Sequence, residues 1–342
     1  MTDIERNLPE FDPRFVQLRH WANSVVENLP SYAPDNEAAA VFIDWQVVTG
    51  DASARRYFRA SYLDQSFIVM DAPPPQAALD SFITIAAMLQ ASGLHSPQIF
   101  AEQPNAGFLL LEDLGETLLQ SLLAVDRGQW LFDQISPLLA VMADKTATDG
   151  LPIYSASCLQ AELDLLPQWF GQRHLGVSFS PSQQADWQYL CDQLITSAMA
   201  QPQVFVHRDF HSCNLHQLPD GSVGIIDFQD AVLGPLSYDL VSWLWDRYIT
   251  WPRSELEAWI EQARLVVAPT IGAGQWLRQC EFMALQRNLK IIGIFARLHY
   301  RDNKQGYLAM APRFIDYVLE LLPRYPEFGP ASDWLVPWLQ AR

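Results

Sequence analysis

Residues 204–230, with the sequence VFVHRDFHSCNLHQLPDGSVGIIDFQD, decide the fold of this chain. Pro219-Asp220-Gly221 is a turn signal between a short segment before it and the apolar run at 223–226. The stretch is therefore predicted to form a strand, a loop and a β-hairpin. The hairpin is expected to fold Asp227 back beside Asn214.

The first half of this stretch carries His207-Arg208-Asp209, followed by four residues and Asn214. This spacing matches the H-R-D-x-x-x-x-N catalytic loop of phosphotransferases with the protein-kinase fold. Asp209 suits the role of a base that accepts a hydroxyl proton. Mg²⁺ prefers oxygen ligands, which suits the Asn214 amide and the Asp227 carboxylate. The sequence therefore predicts a kinase that uses ATP and Mg²⁺.

The same residues also allow simpler interpretations. A lone H-R-D can be a buried ion pair, but the whole ordered string with a hairpin between its halves is not expected by chance. His207 and His211 have the i, i+4 spacing of a zinc pair, yet no Glu follows His207 and the segment is not helical. His207 is therefore predicted to brace the loop, and Cys213 to pack.

Composition limits the class of protein. The 342 residues are 49% hydrophobic, which indicates a globular chain of one large or two modest domains. The formal net charge of −17 disfavours nucleic acid and anionic membranes as partners. No signal segment or long apolar run is present, so a cytoplasmic location is expected. The four cysteines contain no C-x-x-C pair, and no obligatory protein partner is evident.

The hydrophobic pattern changes near residues 112–114, where a hinge is predicted. Apolar spacing after Asp12-Pro13 predicts an opening helix. The strand predictions are 41–48, 57–62, 66–70, 99–102 and 108–111, with a helix at 77–90 after the third. The later helix predictions are 130–146, 159–170, 181–199, 237–248, 255–265, 279–299 and 313–322.

These elements predict an α+β, protein-kinase-like bilobal fold. Residues 1–111 are expected to form a small five-stranded antiparallel N-terminal lobe that binds nucleotide. Residues 112–342 are expected to form a larger, mainly helical C-terminal lobe with the catalytic and substrate-binding residues.

Longer strings extend the similarity. FLLLEDLG at 108–115, HRDFHSCNL at 207–215 and GIIDFQDAVLGPLSYDL at 224–240 resemble the aminoglycoside phosphotransferase and choline kinase superfamily. Gln229 stands where the D-F-G motif of protein kinases has Gly and no A-P-E signature follows, so a protein substrate is disfavoured. GDASARRYFR, FIVMDAPP and QRNLKIIGIFARLHYRDNKQGYL resemble the bacterial anomeric N-acetylmuramate and N-acetylglucosamine kinases, over residues 44–323.

The resemblance implies phosphorylation by ATP of the C1 hydroxyl of a free amino sugar, in peptidoglycan recycling. It implies Asp209 as the base and Asn214 and Asp227 as Mg²⁺ ligands. Asp230 is expected either to hold the loop or metal or to cap the next turn. Backbone groups of Leu111, Glu112 and Leu114 are expected to meet adenine.

One position departs from the kinase pattern. Met70 stands near where many kinase-fold enzymes carry the lysine that holds the α- and β-phosphates. Arg55 and Arg59, spaced by four, share one strand face and are predicted to replace it, with Arg56 on the other face as the alternative. The backbone around Gly50 and Ser53 is expected either to cradle phosphate or to form a plain β-turn.

Basic residues near the end of the chain are candidates for binding the sugar. Lys290, Arg297 and Arg301 fall on one helical face and are predicted to meet the lactyl carboxylate of N-acetylmuramate, with Arg287 beside them in sequence. The alternative is a solvated basic face.

Two other functions remain open. The acidic chain would suit a kinase for a cationic molecule such as an aminoglycoside or choline. The missing lysine would suit a nucleotide-binding pseudokinase scaffold, although Asp209, Asn214 and Asp227 are all present.

Overall fold

The computed structural model describes residues 8–26, 29, 44–48, 55–62, 65–73 and 79–340. Contacts within the chain divide it into two compact units. The first combines Met1–Thr117 with His216–Gln229, and the second combines Leu118–Leu215 with Asp230–Arg342. The functional division after residue 111 stays a prediction.

The first unit contains an antiparallel sheet of five strands. The strands are β1 Asp44–Val48, β2 Arg56–Tyr62, β3 Gln65–Asp71, β4 Ile99–Gln103 and β5 Phe108–Glu112. Their order is β1-β2-β3-β5-β4, and helix α2, Leu79–Ala91, lies between β3 and β4 in sequence. The predicted five-stranded sheet with one inserted helix is confirmed. The starts predicted at 41–43 and 77–78 lie outside the described residues.

The opening helix α1, Pro13–Val26, completes the core of this unit. Phe15, Leu18, Ala22 and Val26 are buried on one face. The ring of Phe15 packs 4.7 Å from that of Phe58 on β2. The predicted helix is confirmed.

The predicted hairpin is also confirmed. β7, Leu215–Gln217, pairs with β8, Val223–Ile225. Gly221 turns the chain with a φ of +86°, a conformation that suits a residue without a Cβ. The Ile225 N–H donates to the carbonyl of His95, 2.8 Å away, so the hairpin is tied to the first unit.

The second unit is mainly helical. Its helices are α3 Gly128–Asp144, α4 Ala156–Leu163, α5 Pro181–Met199, α6 Tyr238–Leu244, α7 Arg253–Val267, α8 Ala273–Tyr300, α9 Ala311–Leu321 and α10 Gly329–Gln340. β6, Gln203–Val206, pairs antiparallel with β9, Val232–Pro235. Helix α8 is buried along most of its length and packs against α4, α5, α6 and α9.

Some predicted helix boundaries differ from the structure. The helix predicted at 159–170 ends as α4 at Leu163, and a π-helix follows over Leu166–Leu175. Pro167 lacks an N–H and opens that new segment, which explains the break. Helix α6 is shorter than predicted, and α10 was not predicted. Within the part of the chain that the structure describes, no helix is long and apolar enough to cross a membrane.

Candidate active site

The catalytic loop follows β6 and is held by a buried carboxylate. Arg208 adopts a φ of +74°, which is unusual for a residue with a long side chain. The N–H groups of His207 and Arg208 donate to the two carboxylate oxygens of Asp239, at 2.6 and 3.0 Å. These two bonds hold the strained turn that immediately precedes Asp209.

The charge of Asp239 depends on pH near neutrality. Burial raises its pKa to about 7, against the opposing effect of the N–H groups of His207 and Arg208, and the neighbouring charge of Asp209 raises it too. The side chain is only 4% exposed. The backbone of the loop is thus held by a group that is not fully ionised in neutral solution.

Asp209 has the opposite electrostatic environment. Its side chain is exposed, as a base that must meet a substrate requires. Removal from water by the surrounding protein raises its pKa, but the interactions with His211, Lys290, His207 and Arg287 outweigh this effect. The resulting pKa lies below the ordinary value of 3.8. Asp209 is therefore ionised at neutral pH and can accept a proton.

Asn214 is oriented by the same loop. Its Nδ2 donates to the carbonyl oxygen of Asp209, 2.9 Å away. This bond fixes the amide so that its oxygen, the atom that Mg²⁺ prefers, is on the other side. The N–H of Ser212 donates to the buried Asp246 carboxylate at 3.0 Å and fixes the middle of the loop. The structure thus brings Asp209 and Asn214 together in the second unit.

Asp227 lies in the first unit, shortly after β8. Its φ of +62° is also in the left-handed region. Its Oδ1 accepts a hydrogen bond from Nε2 of Gln229 at 2.9 Å. The adjacent Phe228 is buried and packs 4.8 Å from the ring of Phe82, which anchors the segment. Asp230 is exposed in the following turn.

The predicted adenine contacts lie at the end of β5. The N–H of Glu112 donates to the carbonyl of Gln98, and its carboxylate accepts from Nε2 of His95 at 3.0 Å. Glu112 is therefore anchored within the first unit, and Leu111 is paired in the sheet. Leu114 follows the strand, is buried, and lies against Gly224 of β8.

The three arginines of the β2 region have different partners. Nε of Arg59 lies 2.6 Å from Oδ2 of Asp113, and this guanidinium also pairs with Glu116. Arg56 pairs with Asp12 and with the buried Asp71, which also binds Arg14. Both are thus held by carboxylates of their own unit.

Arg55 interacts with Tyr57 instead. Burial raises the pKa of Tyr57, Arg55 lowers it, and Asp227 raises it. Arg55 and Asp227 therefore both lie close enough to Tyr57 to influence it. Tyr57 is paired with Met70 across β2 and β3. Gly50 and Ser53 lie outside the described residues.

The cations predicted to bind sugar lie at or beyond the C-terminal half of α8. Lys290 is buried, with Nζ 2.6 Å from Oη of Tyr238 and 3.5 Å from Oε2 of Glu162. Glu162 also pairs with Arg208 at 2.7 Å. Arg297 is half-buried. The exposed Arg301 pairs with the neighbouring Asp302 at 2.7 Å.

Three carboxylates of this region have structural roles that were not predicted. Asp239 and Asp246 hold the backbone of the catalytic loop, and Glu162 holds Arg208 and Lys290. Each is a single acidic residue in or beside a helical segment, and no motif spacing in the sequence marks it as functional. The string GPLSYDL, which contains Asp239, was the one available signal.

Comparison with known proteins agrees with this geometry. The N-acetylmuramate/N-acetylglucosamine kinase of Pseudomonas putida is 38% identical over 341 residues, which are 98% of this chain and 99% of that protein. The ethanolamine kinase of Plasmodium vivax has a TM-score of 0.64 at 12% identity, over 92% of this chain and 89% of that one. An ADP-bound aminoglycoside phosphotransferase has a TM-score of 0.59 at 11% identity, over 88% and 96%.

These similarities confirm the α+β, protein-kinase-like fold with a small sheet-containing lobe and a larger helical one. They also confirm the resemblance to the aminoglycoside phosphotransferase and choline kinase superfamily. The model of the phosphotransferase enzyme family matches residues 44–277, more than half of the 342 residues. The chain therefore belongs to the phosphotransferase enzyme family.

Proposed function

We propose that this chain is an ATP-dependent kinase that phosphorylates the anomeric C1 hydroxyl of N-acetylmuramate and N-acetylglucosamine in peptidoglycan recycling. The observation that carries the proposal is the ionised, exposed Asp209 in a loop whose backbone is fixed by Asp239. The choice of sugar rests on the similarity to kinases with those names.

The proposed reaction needs one proton acceptor. As the C1 oxygen of the sugar attacks the γ-phosphorus, its proton passes to the carboxylate of Asp209. The bond from the γ-phosphorus to the bridging oxygen breaks, and ADP leaves with that electron pair. Because Asp209 carries a negative charge at neutral pH, it is ready to accept the proton and orient the hydroxyl.

Asn214 and Asp227 are the residues that would hold Mg²⁺, and their oxygen donors fit a hard cation. The orientation of the Asn214 amide supports this role. No group of three or more His, Cys, Asp or Glu side chains arranged for a metal occurs among the described residues, so phosphate and water oxygens would complete the ligand set. A bound Mg²⁺ would neutralise charge on the phosphates.

Arg55 is the best-supported replacement for the missing lysine. It lies near Tyr57, which is opposite Met70 in the sheet and is influenced by Asp227. Arg59 already has two carboxylate partners. Gly50, Ser53 and Arg59 stay predicted nucleotide contacts, with Glu112 and Leu114 beside adenine.

The two predicted lobes would divide this work. In the proposal, residues 1–111 bind nucleotide, while 112–342 supply the base Asp209 and the cations Lys290, Arg297 and Arg301 that are predicted to lie near the sugar. The reaction needs ATP, Mg²⁺ and the sugar but no protein partner, and we place it in the cytoplasm, where ATP is available.

A second candidate is a kinase for a cationic molecule, which the charge of −17 favours electrostatically. ADP release should be measured with N-acetylmuramate, N-acetylglucosamine, glucose, choline and kanamycin as acceptors. We expect turnover with the two amino sugars. Turnover with kanamycin or choline alone would support the second candidate, and no ADP from any acceptor would support the scaffold.

The position of phosphorylation requires a separate measurement. In phosphorus NMR the product phosphate should couple to the anomeric proton. A signal coupled to the C6 protons would show that the enzyme makes a 6-phosphate and would contradict the anomeric assignment.

A further inference from the structure

The three cations predicted to face the sugar are not equivalent in the structure. Lys290 is buried and bound to Tyr238 and Glu162, and Arg301 is exposed and paired with Asp302 at both carboxylate oxygens. The side chain of Arg297 makes no hydrogen bond or ion pair with any residue that the structure describes, and its buried Nε has no partner. Arg297 is thus a half-buried cation without a carboxylate partner among the described residues.

The charges around Arg297 favour the binding of an anion. Four cations and three carboxylates lie in this neighbourhood: Arg208, Lys290, Arg297, Arg301, Glu162, Asp302 and Asp209. The excess of positive charge contrasts with the net charge of −17 for the whole chain. Burial lowers the pKa of Arg297 and the charge of Arg301 lowers it further, so an added anion would relieve this repulsion.

Glu162 cannot serve as that anion, because its oxygens are already engaged. They contact Arg208, Lys290, Tyr154 and Gln286. The charge of Glu162 is felt by Arg297, but no ion pair joins the two side chains. The available positive charge therefore remains on Arg297.

Side chains close to Arg297 also contact the catalytic loop. Glu162 binds Arg208, the residue before Asp209, and the charge of Lys290 acts on Asp209 itself. Arg297 follows Lys290 by two turns on the same face of α8, about 10 Å along the helix. A monosaccharide with its C1 hydroxyl at Asp209 would extend along this face.

We propose that Arg297 binds the carboxylate of the lactyl group of N-acetylmuramate and thereby sets the preference between the two sugars, an inference that rests on the proposed function. N-acetylglucosamine lacks the lactyl ether and carries no carboxylate. A planar guanidinium can bind a carboxylate through two parallel N–H···O bonds. Lys290 positions the loop through Glu162, and Arg301 stays paired with Asp302.

The test is kcat/KM of the full chain for each sugar with Arg297→Gln and with Arg127→Gln, an exposed arginine outside the site, as the matched control. In Arg297→Gln, kcat/KM with N-acetylmuramate should fall about 10- to 100-fold, which is the effect of losing one charged hydrogen-bonded pair. Its kcat/KM with N-acetylglucosamine should stay at the wild-type value. The kcat/KM of Arg297→Lys with N-acetylmuramate should lie between those of wild type and Arg297→Gln, because lysine keeps the positive charge but lacks the two parallel N–H donors of the guanidinium. Arg127→Gln should match wild type with both sugars.

A change in the substrate gives a second measurement that does not depend on a folded variant. The neutral carboxamide of N-acetylmuramate should be a poorer substrate than the acid for the wild-type enzyme. Equal kcat/KM for acid and amide would overturn the inference, as would equal losses with both sugars in Arg297→Gln or a selective loss in Arg301→Gln alone. Wild-type enzyme that phosphorylates neither sugar would instead contradict the proposed function, and the inference with it.

Discussion

At the scale of single residues, backbone strain is concentrated at the catalytic motif. Within the described ranges, the non-glycine residues with positive φ are Arg208, Asp227 and Asn303. Asn and Asp tolerate this conformation, but a long side chain such as that of Arg208 costs about 1–3 kcal/mol there and persists only where the surroundings fix it. For Arg208 the fixing group is Asp239, which accepts two backbone N–H bonds. The strain immediately precedes the proposed base.

The role of Asp209 can be tested by replacing it with asparagine. The amide has nearly the same shape but cannot accept the hydroxyl proton, so Asp209→Asn should reduce kcat by about 100-fold or more. ATP affinity, measured by calorimetry, should change little. The control is Asp149→Asn at an exposed position of the second unit. Normal turnover in Asp209→Asn would remove this residue from its assigned role.

The raised pKa of Asp239 predicts that the free energy of unfolding depends on pH. Its pKa of about 7 in the folded protein is higher than the ordinary value of 3.8 expected after unfolding. The folded state therefore binds the proton more tightly between these values. The resulting stabilisation is fully present below pH 3.8 and is lost as pH rises through about 7.

The variant Asp239→Asn removes this titration and replaces one acceptor by an NH₂ group that faces a backbone N–H. It should be less stable than wild type by about 1–3 kcal/mol. Denaturant unfolding of both proteins at pH 5, 6, 7 and 8 should show that the advantage of wild type shrinks as pH rises. A constant difference across that range would show that Asp239 does not titrate there.

At the scale of elements, the periodicity of the hydrophobic residues predicted most helices and strands but not the residues at which they end. The helix over 181–199 was predicted with the bounds that the structure shows, because Ser180 caps it and Pro181 opens it. The segment 159–170 kept a helical period across Pro167, and the pattern could not show that the backbone changes to a π-helix there. Helix α10 was not predicted, and its sequence is interrupted by prolines, with Pro326 shortly before it and Pro330 and Pro337 within it.

The contact between α8 and the π-helix segment predicts a strong effect at one glycine. A Cβ on Gly293 would lie 2.5 Å from the backbone carbon of Leu165 and 2.6 Å from the nitrogen of Leu166. Backbone atoms cannot rotate away as a side chain can. Gly293→Ala should therefore lower the free energy of unfolding by about 1–3 kcal/mol.

Gly274 in the same helix is the matched control. A Cβ there meets nothing within 4 Å. Gly274→Ala should be neutral or stabilise by up to about 1 kcal/mol, since alanine favours helix. Denaturant unfolding followed by circular dichroism compares the two variants. Similar stability of both would show that α8 can move away from Leu165 at little cost.

At the scale of the whole molecule, the parts of the site that are close in sequence were the predictable ones. Asp209 and Asn214 were found because five positions separate them and their chemistry fixes that spacing. The partners of Arg59 could not be found, because Asp113 lies 54 residues away and only the folded sheet brings it near. The ion pair between Glu162 and Lys290 could not be found for the same reason, because these residues are also far apart in sequence. Long-range ion pairs leave no local pattern, and they decided which predicted cations have carboxylate partners.

The net charge of the chain makes a final prediction about metal and nucleotide. A charge of −17 repels free ATP, which is itself a polyanion. In the proposed function, Mg²⁺ held by Asn214 and Asp227 would neutralise part of the triphosphate charge. The chelator EDTA should therefore abolish turnover, excess Mg²⁺ should restore it, and calorimetry should show at least about 10-fold weaker ATP binding without the metal.

The dependence on salt separates repulsion from loss of a ligand bridge. Added salt screens charge, so affinity for free ATP should rise between low and physiological ionic strength if repulsion by the whole chain is the main penalty. Asp227→Asn should bind ATP weakly with or without Mg²⁺, because the variant lacks a carboxylate ligand for the metal. The thermal stability of the nucleotide-free protein serves as the control and should not change with EDTA. Full turnover in EDTA would mean that the cationic side chains alone neutralise the phosphates.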